Sequence, residues 1–447
     1  MVLQKIKTSR LLALIWLLSV LLLPHRMLAK DSRLGVERAV ANASFWRSSG
    51  DEFIQDNPHL GFRWLSGSTR STLRCMKSNV GFMGLDVQEI LVKYENNLPN
   101  EVTISVYNRG DGGELPEDRF NALIELTRNR ITDLTSTRPG RIEDQRRTRD
   151  AKVYRQIWDR KPLLVILSWS ETEEHRSNGQ KIPYRSEYVR VTLTLTDYFV
   201  DMWDHLDRKT KVDQVDPSKN VKRTDFGDVY IVGVPMVDQG EKGYCAVACM
   251  ERLFRYYGVP VDQHEVAQIA DSSAALGTSP EVMMDALKRM STKFRVRVKE
   301  HFTIDYRSLK SMVNEYNKLA DDHDKPEIEL EGTVYLNTLF GAMDPELLKA
   351  ARADNRNDFR SFQRDIQKYV NEGVPLLWSV LVGLFPEEPA VRGMGGHMRL
   401  IIGYNEKNGE IIYSDTWGNG HELKRLPLDQ AWAMTFGLFT AESRDAR

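Results

Sequence analysis

Cysteine is scarce in this chain: among 447 residues only Cys75, Cys245 and Cys249 occur, too few for a disulfide-built scaffold even in an oxidising compartment. Stability must therefore come from apolar cores, for which a hydrophobic content of 41% is sufficient. Beyond residue 29 no apolar run approaches the roughly 20 residues needed to span a bilayer. Charge of one sign is also missing, since 62 basic side chains face 63 acidic ones, so nucleic acid is not expected as a partner. The familiar cofactor motifs are absent as well. His264-Glu265 has no second histidine four residues after the first, Gly393-Met394-Gly395-Gly396 does not fit a dinucleotide loop, and neither a P-loop nor an acidic calcium loop is found. No cofactor and no metal are expected.

The first 29 residues read as an export signal. Lys5, Lys7 and Arg10 precede the apolar run Leu11 to Pro24, and Met27-Leu28-Ala29 supplies a small residue for cleavage. Removal of this segment takes away four basic residues and no acidic one, leaving a mature chain near −5 with no membrane span. The expected location is the periplasm or the extracellular space; the alternative is a chain anchored through the uncleaved segment.

The remainder divides into two units of the size expected for domains. Residues 30–203 read as an N-terminal α+β domain with an antiparallel sheet and no recognisable chemistry. A run from Val87 to Tyr94 is followed, past Asn96 to Asn100, by alternating Val102, Ile104 and Val106, which predicts a β-hairpin. An amphipathic helix carrying Phe120, Leu123, Ile124, Ile131 and Leu134 comes next, then a second strand pair at Leu163 to Trp169 and Val189 to Leu195, giving the order ββαββ. The mixed-charge stretch Arg138 to Arg149 reads as a solvated loop. Residues 204–225 are charged and without hydrophobic period, a linker. Residues 226–447 read as a second α+β domain: a short strand at 229–232, a mostly apolar helix from Cys245 that Gly258 ends, and further helices near 262–270, 280–290, 308–320, 344–352 and 358–371. Asp262, Ser279, Asp344 and Asp358 are the expected N-caps. Strands at 376–382, 397–404 and 410–415 complete it, and 291–357 reads as a helical insertion.

The chemistry concentrates in this second domain. Gln239 lies six residues before Cys245, which opens a helix, where the positive end of the macrodipole favours a thiolate. His397 follows Gly395-Gly396 and begins an apolar strand, and Asp415 ends the next one, in Asp415-Thr416-Trp417-Gly418. An acid on the neighbouring strand can fix the histidine tautomer while the other ring nitrogen faces the thiol. Each residue alone has a bland reading: a helix-opening cysteine, a structural histidine, a strand-ending turn aspartate. Cys249, one helical turn after Cys245, reads as a small buried hydrophobe, and a Cys75–Cys249 bridge has no support.

Taken together, the order Gln, Cys, His, Asp, the six-residue step and the Asp-x-Trp-Gly ending resemble the papain-like cysteine peptidases. The acidic third member and Gly-Gly-His on a strand ending in Gly-Tyr are similar to the bacteriocin-processing, double-glycine-leader peptidases and their stand-alone relatives, over residues 228–440. The resemblance implies a papain-like fold with a helical half and a sheet half, Cys245 as nucleophile, His397 as general base, Asp415 as its orienter and Gln239 in the oxyanion hole. Trp417 and Gly396 would support them, the first as a shield from water. Leader processing itself is not expected, because this sequence shows a signal-like segment, no P-loop pattern and no multi-span region, whereas leader peptidases of this type are usually fused to transmembrane and nucleotide-binding domains. The expected activity is an exported cysteine peptidase, hydrolysing a peptide or protein substrate through a thioacyl intermediate. Other thiol acyl transfer (an amidase, a cell-wall peptide hydrolase, a transglutaminase) and an inactive peptide-binding module are the alternatives.

Overall fold

The computed structural model describes residues 34–146, 151–177, 180–196, 216–239, 244–258, 266, 296–330, 335–391 and 393–443. The expected signal segment, the linker up to residue 215 and nearly all of the two expected helices at 262–270 and 280–290 lie outside the described residues.

Two eight-stranded sheets with separate apolar cores organise the described chain, one in each half. The N-terminal sheet is antiparallel throughout and comprises β1 (Phe62–Trp64), β2 (Thr72–Cys75), β3 (Glu89–Glu95), β4 (Leu98–Asn108), β5 (Glu143–Arg146), β6 (Ala151–Arg160), β7 (Leu163–Thr172) and β8 (Arg185–Leu195), in the order β1-β2-β3-β4-β8-β7-β6-β5. The expected hairpin is β3–β4. Its turn is tighter than expected, with Asn96 and Asn97 alone between the strands, at φ 50 and 64. A two-residue turn that continues the sheet twist needs two left-handed residues, which asparagine tolerates. The helix α1 (Glu117–Thr135) lays Phe120, Ile124 and Ile131 on the sheet, where Trp158 is fully buried and donates Nε1–H to Thr132 Oγ1 at 3.0 Å.

The sheet is wider than the four expected strands because β6, a ten-residue strand that the sequence reading missed, pairs with β7, and short edge segments extend both sides. β1 and β2 add one side. On the other, β5 takes Glu143–Arg146 out of the expected solvated loop 138–149 and pairs it with β6. Charged side chains on a sheet edge are consistent with both burial and solvation, which is why alternation alone misses such strands.

The C-terminal sheet is also antiparallel: β9 (Val221–Arg223), β10 (Asp228–Ile231), β11 (Val296–Thr303), β12 (Leu376–Val382), β13 (Gly395–Asn405), β14 (Glu410–Ser414), β15 (Lys424–Pro427) and β16 (Thr435–Ser443). Its main path runs β9-β10-β13-β12-β16-β11, and β14 and β15 branch from β13. Thus residues 216–223, placed in the linker by composition, form a 3-10 turn and the edge strand β9. Residues 296–303, placed in the helical insertion, form β11 against β16. The helices are α2 (Cys245–Tyr256), α3 (Tyr306–Asp322), α4 (Leu336–Gly341), α5 (Pro345–Asp354), α6 (Arg356–Asn371) and α7 (Leu428–Ala433). Asp344 caps α5 as expected, accepting from Glu346 and Leu347 N–H, with Pro345 in the first turn. The cap of α6 is Asn355, not Asp358: Asn355 Oδ1 accepts from Asp358 N–H while its amide donates to the Asp358 carboxylate, so the aspartate serves as the third helical residue of a reciprocal cap. The helix α2 is buried on nearly every side and packs against β13, the strand that begins Gly395-Gly396-His397. The described residues form an α+β structure.

Candidate active site

Cys245 is the first residue of α2, so its N–H points out of the helix unclaimed by an earlier turn, and the thiol sits at the positive end of twelve aligned peptide dipoles. Such burial alone would push the Cys245 thiol up. A hydrogen bond from His397, the imidazolium charge and the Met398 and Ala246 N–H groups more than offset this, and the pKa is lowered.

His397 lies opposite Val380 in the β12–β13 register. Its Nε2 is 2.5 Å from Asp415 Oδ1, which leaves Nδ1 as the nitrogen for the thiol. Asp415 follows β14 directly, and because β14 pairs with β13 with Leu400 opposite Ser414, the acid falls next to the histidine. Burial would hold the imidazole neutral, yet the Asp415 carboxylate and the thiolate raise its pKa to about 9. Asp415, itself penalised by burial, is held well below the usual carboxylate range by the His397 and Arg399 charges and the Thr416 N–H. Both directions favour a thiolate facing an imidazolium.

Trp417 stacks on the imidazole with 4.4 Å between ring centroids and 19° between planes. Gln239 is anchored twice to the turn between Asp415 and Trp417: its N–H donates to Thr416 O at 2.9 Å, and Thr416 Oγ1–H donates to its Oε1 at 2.5 Å. With the amide oxygen occupied, Nε2 is the opposite, donating end. Residues 240–243, between Gln239 and Tyr244, lie outside the described residues. A side chain at Gly396 would meet the Asn337 amide at 3.0 Å, so α4 comes close over the strand that carries the histidine. The structure thus brings all six sequence-derived candidates to one end of the α2–β13 contact.

Charges behind the site escaped sequence reasoning. Arg399, two residues after His397 and so on the same face of β13, is fully buried. It pairs through Nε with Asp415 Oδ2 at 2.8 Å, and through both terminal nitrogens with Glu387 at 2.9 and 3.0 Å. Glu387 also pairs with Lys424 at 3.1 Å and accepts from the Tyr413 hydroxyl. Arg252 on α2 ties the site together from the far side, donating to Pro235 O, Asp415 O and Ser414 Oγ. The available signal was an arginine inside the apolar run Met398-Arg399-Leu400-Ile401, a position tolerated only with a buried partner. All three cysteines are free thiols; the Cys75 thiol donates to Leu60 O, and Cys249, fully buried, to Met398 O. Among the described residues no group of three or more His, Cys, Asp or Glu side chains is arranged to hold a metal ion.

Residues 231–437 match the model of the peptidase C39 like family, which supports a C39-like, papain-like cysteine peptidase over that stretch; the match stops short of the N-terminal sheet. No curated protein matches the chain.

Proposed function

We propose that the C-terminal domain is an active cysteine peptidase, using Cys245, His397 and Asp415 as its catalytic triad and Gln239 in the oxyanion hole. The observation that carries this reading is the pairing of His397 Nε2 with Asp415 Oδ1 at 2.5 Å beside a Cys245 thiol whose pKa the imidazole lowers, with Gln239 tied to the residue after the acid. The Cys245 thiolate attacks the carbonyl carbon of a peptide bond, a C–S bond forms, and the carbonyl oxygen takes the negative charge. The Gln239 amide and the Cys245 N–H donate to that oxygen. As the C–N bond breaks, His397 passes its proton to the leaving amine. The now neutral imidazole takes a proton from water, the hydroxide so formed attacks the thioester, and the C–S bond opens to release the acid and restore the thiolate. Asp415 keeps Nδ1 turned toward the sulfur throughout. The basic and apolar character of residues 1–29 supports export of this enzyme; N-terminal sequencing of the envelope or secreted fraction tests it, and an intact Met1 there would refute cleavage.

Near neutral pH, iodoacetamide should alkylate Cys245 faster than a free model thiol, and His397→Ala should remove the advantage. Gln239→Ala should leave alkylation fast, because displacement at a saturated carbon develops no oxyanion, while peptide hydrolysis falls about 10²- to 10³-fold. A wild-type thiol no more reactive than free cysteine refutes the reading. Incorporation of an added amine without cleavage would assign the same residues to transglutamination.

A further inference from the structure

The N-terminal domain touches the catalytic segment at both of its ends. Arg74 on β2 is buried between two carboxylates, with Nη2 3.1 Å from Glu89 Oε1 and Nη1 3.3 Å from Asp238 Oδ2. The same Nη1 donates at 3.4 Å to the backbone oxygen of Asp238, the residue before Gln239. At the other end, Tyr244, which immediately precedes Cys245, is fully buried; Asn108 Nδ2 donates to its hydroxyl at 3.5 Å. Gly110, in the turn after β4, lies so close that a Cβ there would fall 1.1 Å from the Tyr244 oxygen. A third contact reaches the turn behind Trp417: Gly67 N–H points at Asn419 Oδ1 (2.9 Å) and Glu422 Oε1 (3.2 Å).

The hydrogen bonds among these contacts join residues 136 to 355 positions apart, and each contact lands on or beside a segment that bears a candidate functional side chain. Asp238 leads to the oxyanion glutamine, Tyr244 to the nucleophile, and the 419–422 turn to the ring over the histidine. A detachable inhibitory segment would cover the site from the substrate side. Here the N-terminal domain instead grips the backbone that presents the catalytic groups, and its departure would strip Asp238 of a buried cation and expose the Tyr244 ring.

We propose that the N-terminal domain is a permanent part of the peptidase, and that Arg74, with the Asn108–Gly110 turn, positions Gln239 and Cys245 for turnover. This rests on the thiol-peptidase reading above. The two grips should be separable because they hold different steps. Arg74→Gln, in the full chain, loosens the oxyanion end: kcat should fall about 10- to 100-fold with KM nearly unchanged, since displacements of about 1 Å suffice for such losses, and Cys245 alkylation should stay at the wild-type rate. Gly110→Ala displaces Tyr244 and should slow alkylation as well as turnover. Asp238→Asn, which keeps the side-chain volume, should reproduce the Arg74→Gln pattern, and serves if that variant does not fold. Arg74→Lys should recover part of kcat. Lys93→Gln, which breaks a peripheral ion pair in the same sheet with Glu101, should leave both readouts unchanged. Wild-type kcat in Arg74→Gln and Asp238→Asn, together with wild-type alkylation in Gly110→Ala, would overturn the proposal. A loss of kcat in Lys93→Gln equal to that in Arg74→Gln would overturn it too, by reducing the effect to general destabilisation. An unreactive Cys245 in the wild type would instead overturn the peptidase reading.

Discussion

In the N-terminal core the deepest side chains include Trp158, Phe120, Val165 and Leu193, whereas at similar depth in the C-terminal half the apolar core is joined by Arg399, Asp415 and the largely shielded Glu387. Ion pairs at the periphery of the first, such as Arg70–Asp51 and Lys93–Glu101, keep at least one partner well exposed. Its more buried pairs, Arg74–Glu89 and Arg109–Glu187, flank the contacts to Asp238 and Tyr244. Among the described residues most of the buried charge therefore lies in and around the candidate site, Arg352 on α5, bonded to Trp432 O and Thr435 O, being an exception. Apolar packing is the cheaper way to stabilise a core, because desolvating two ions costs about what their attraction returns. A charge cluster kept at such depth is consistent with a chemical role: Arg399 and Lys424 neutralise Asp415 and Glu387, so that the acid stays ionised and can hold His397 in its charged form.

The strongest way to break this contrast is Arg399→Met, a change of similar size that leaves Asp415 and Glu387 facing each other across a dry gap. Removing one partner of a buried pair typically costs about 3–5 kcal/mol. Denaturant unfolding should show a loss of that order, and hydrolysis should fall steeply even at temperatures where the variant is folded. Trp158→Phe is the apolar counterpart. It sacrifices ring volume and the Thr132 hydrogen bond, so a loss of about 1–3 kcal/mol is expected. Activity per folded molecule should be that of the wild type, since nothing near Trp158 bears on the site. Equal activity losses in the two variants would erase the distinction between the sheets.

The same contrast explains what was legible in the sequence. Cys245, His397, Asp415 and Gln239 could be singled out as candidates because each sits at a boundary that leaves a mark: a helix start, a strand start after two glycines, a strand end, a fixed step before the helix. The strands β12, β13 and β14 could be read because central strands buried on both faces are continuous apolar runs. β11 could not, since Arg297, Lys299 and Glu300 interrupt Val296 and Val298 at the edge of the sheet. β9 was hidden in the same way, its Lys222 and Arg223 exposed and its three residues too short for any period to register. Arg399 and Glu387 were invisible for a different reason. Their pairing is a matter of distance across the sheet, and no local pattern in a single sequence encodes it. The interface that holds Asp238 and Tyr244 is equally non-local, and Arg74 looks like any charged residue of a short strand.

The smallest effect sharpens the comparison within the site itself. His397 is raised to about 9 in the folded protein, against an ordinary value near 6.5, so the imidazolium is favoured by folding. Its contribution is fully present below pH 6.5 and is lost as pH rises through about 9. On the proposed mechanism the alkaline limb of kcat/KM should accordingly lie near pH 9, where the imidazolium that would protonate the leaving amine disappears. Trp417 lies face to face with that ring, and an aromatic face favours a cation by about 0.5–2 kcal/mol, or roughly 0.4–1.5 pH units. Trp417→Leu should then move the alkaline limb down by an amount in that range, with the sign set by the lost stabilisation of the charged form. Water admitted to the His397–Asp415 contact would weaken their attraction and lower the limb further. A limb that stays near pH 9 in Trp417→Leu would assign the proton affinity of His397 to its ionic partners alone, and leave the indole a steric cover over the Asp415 side of the ring.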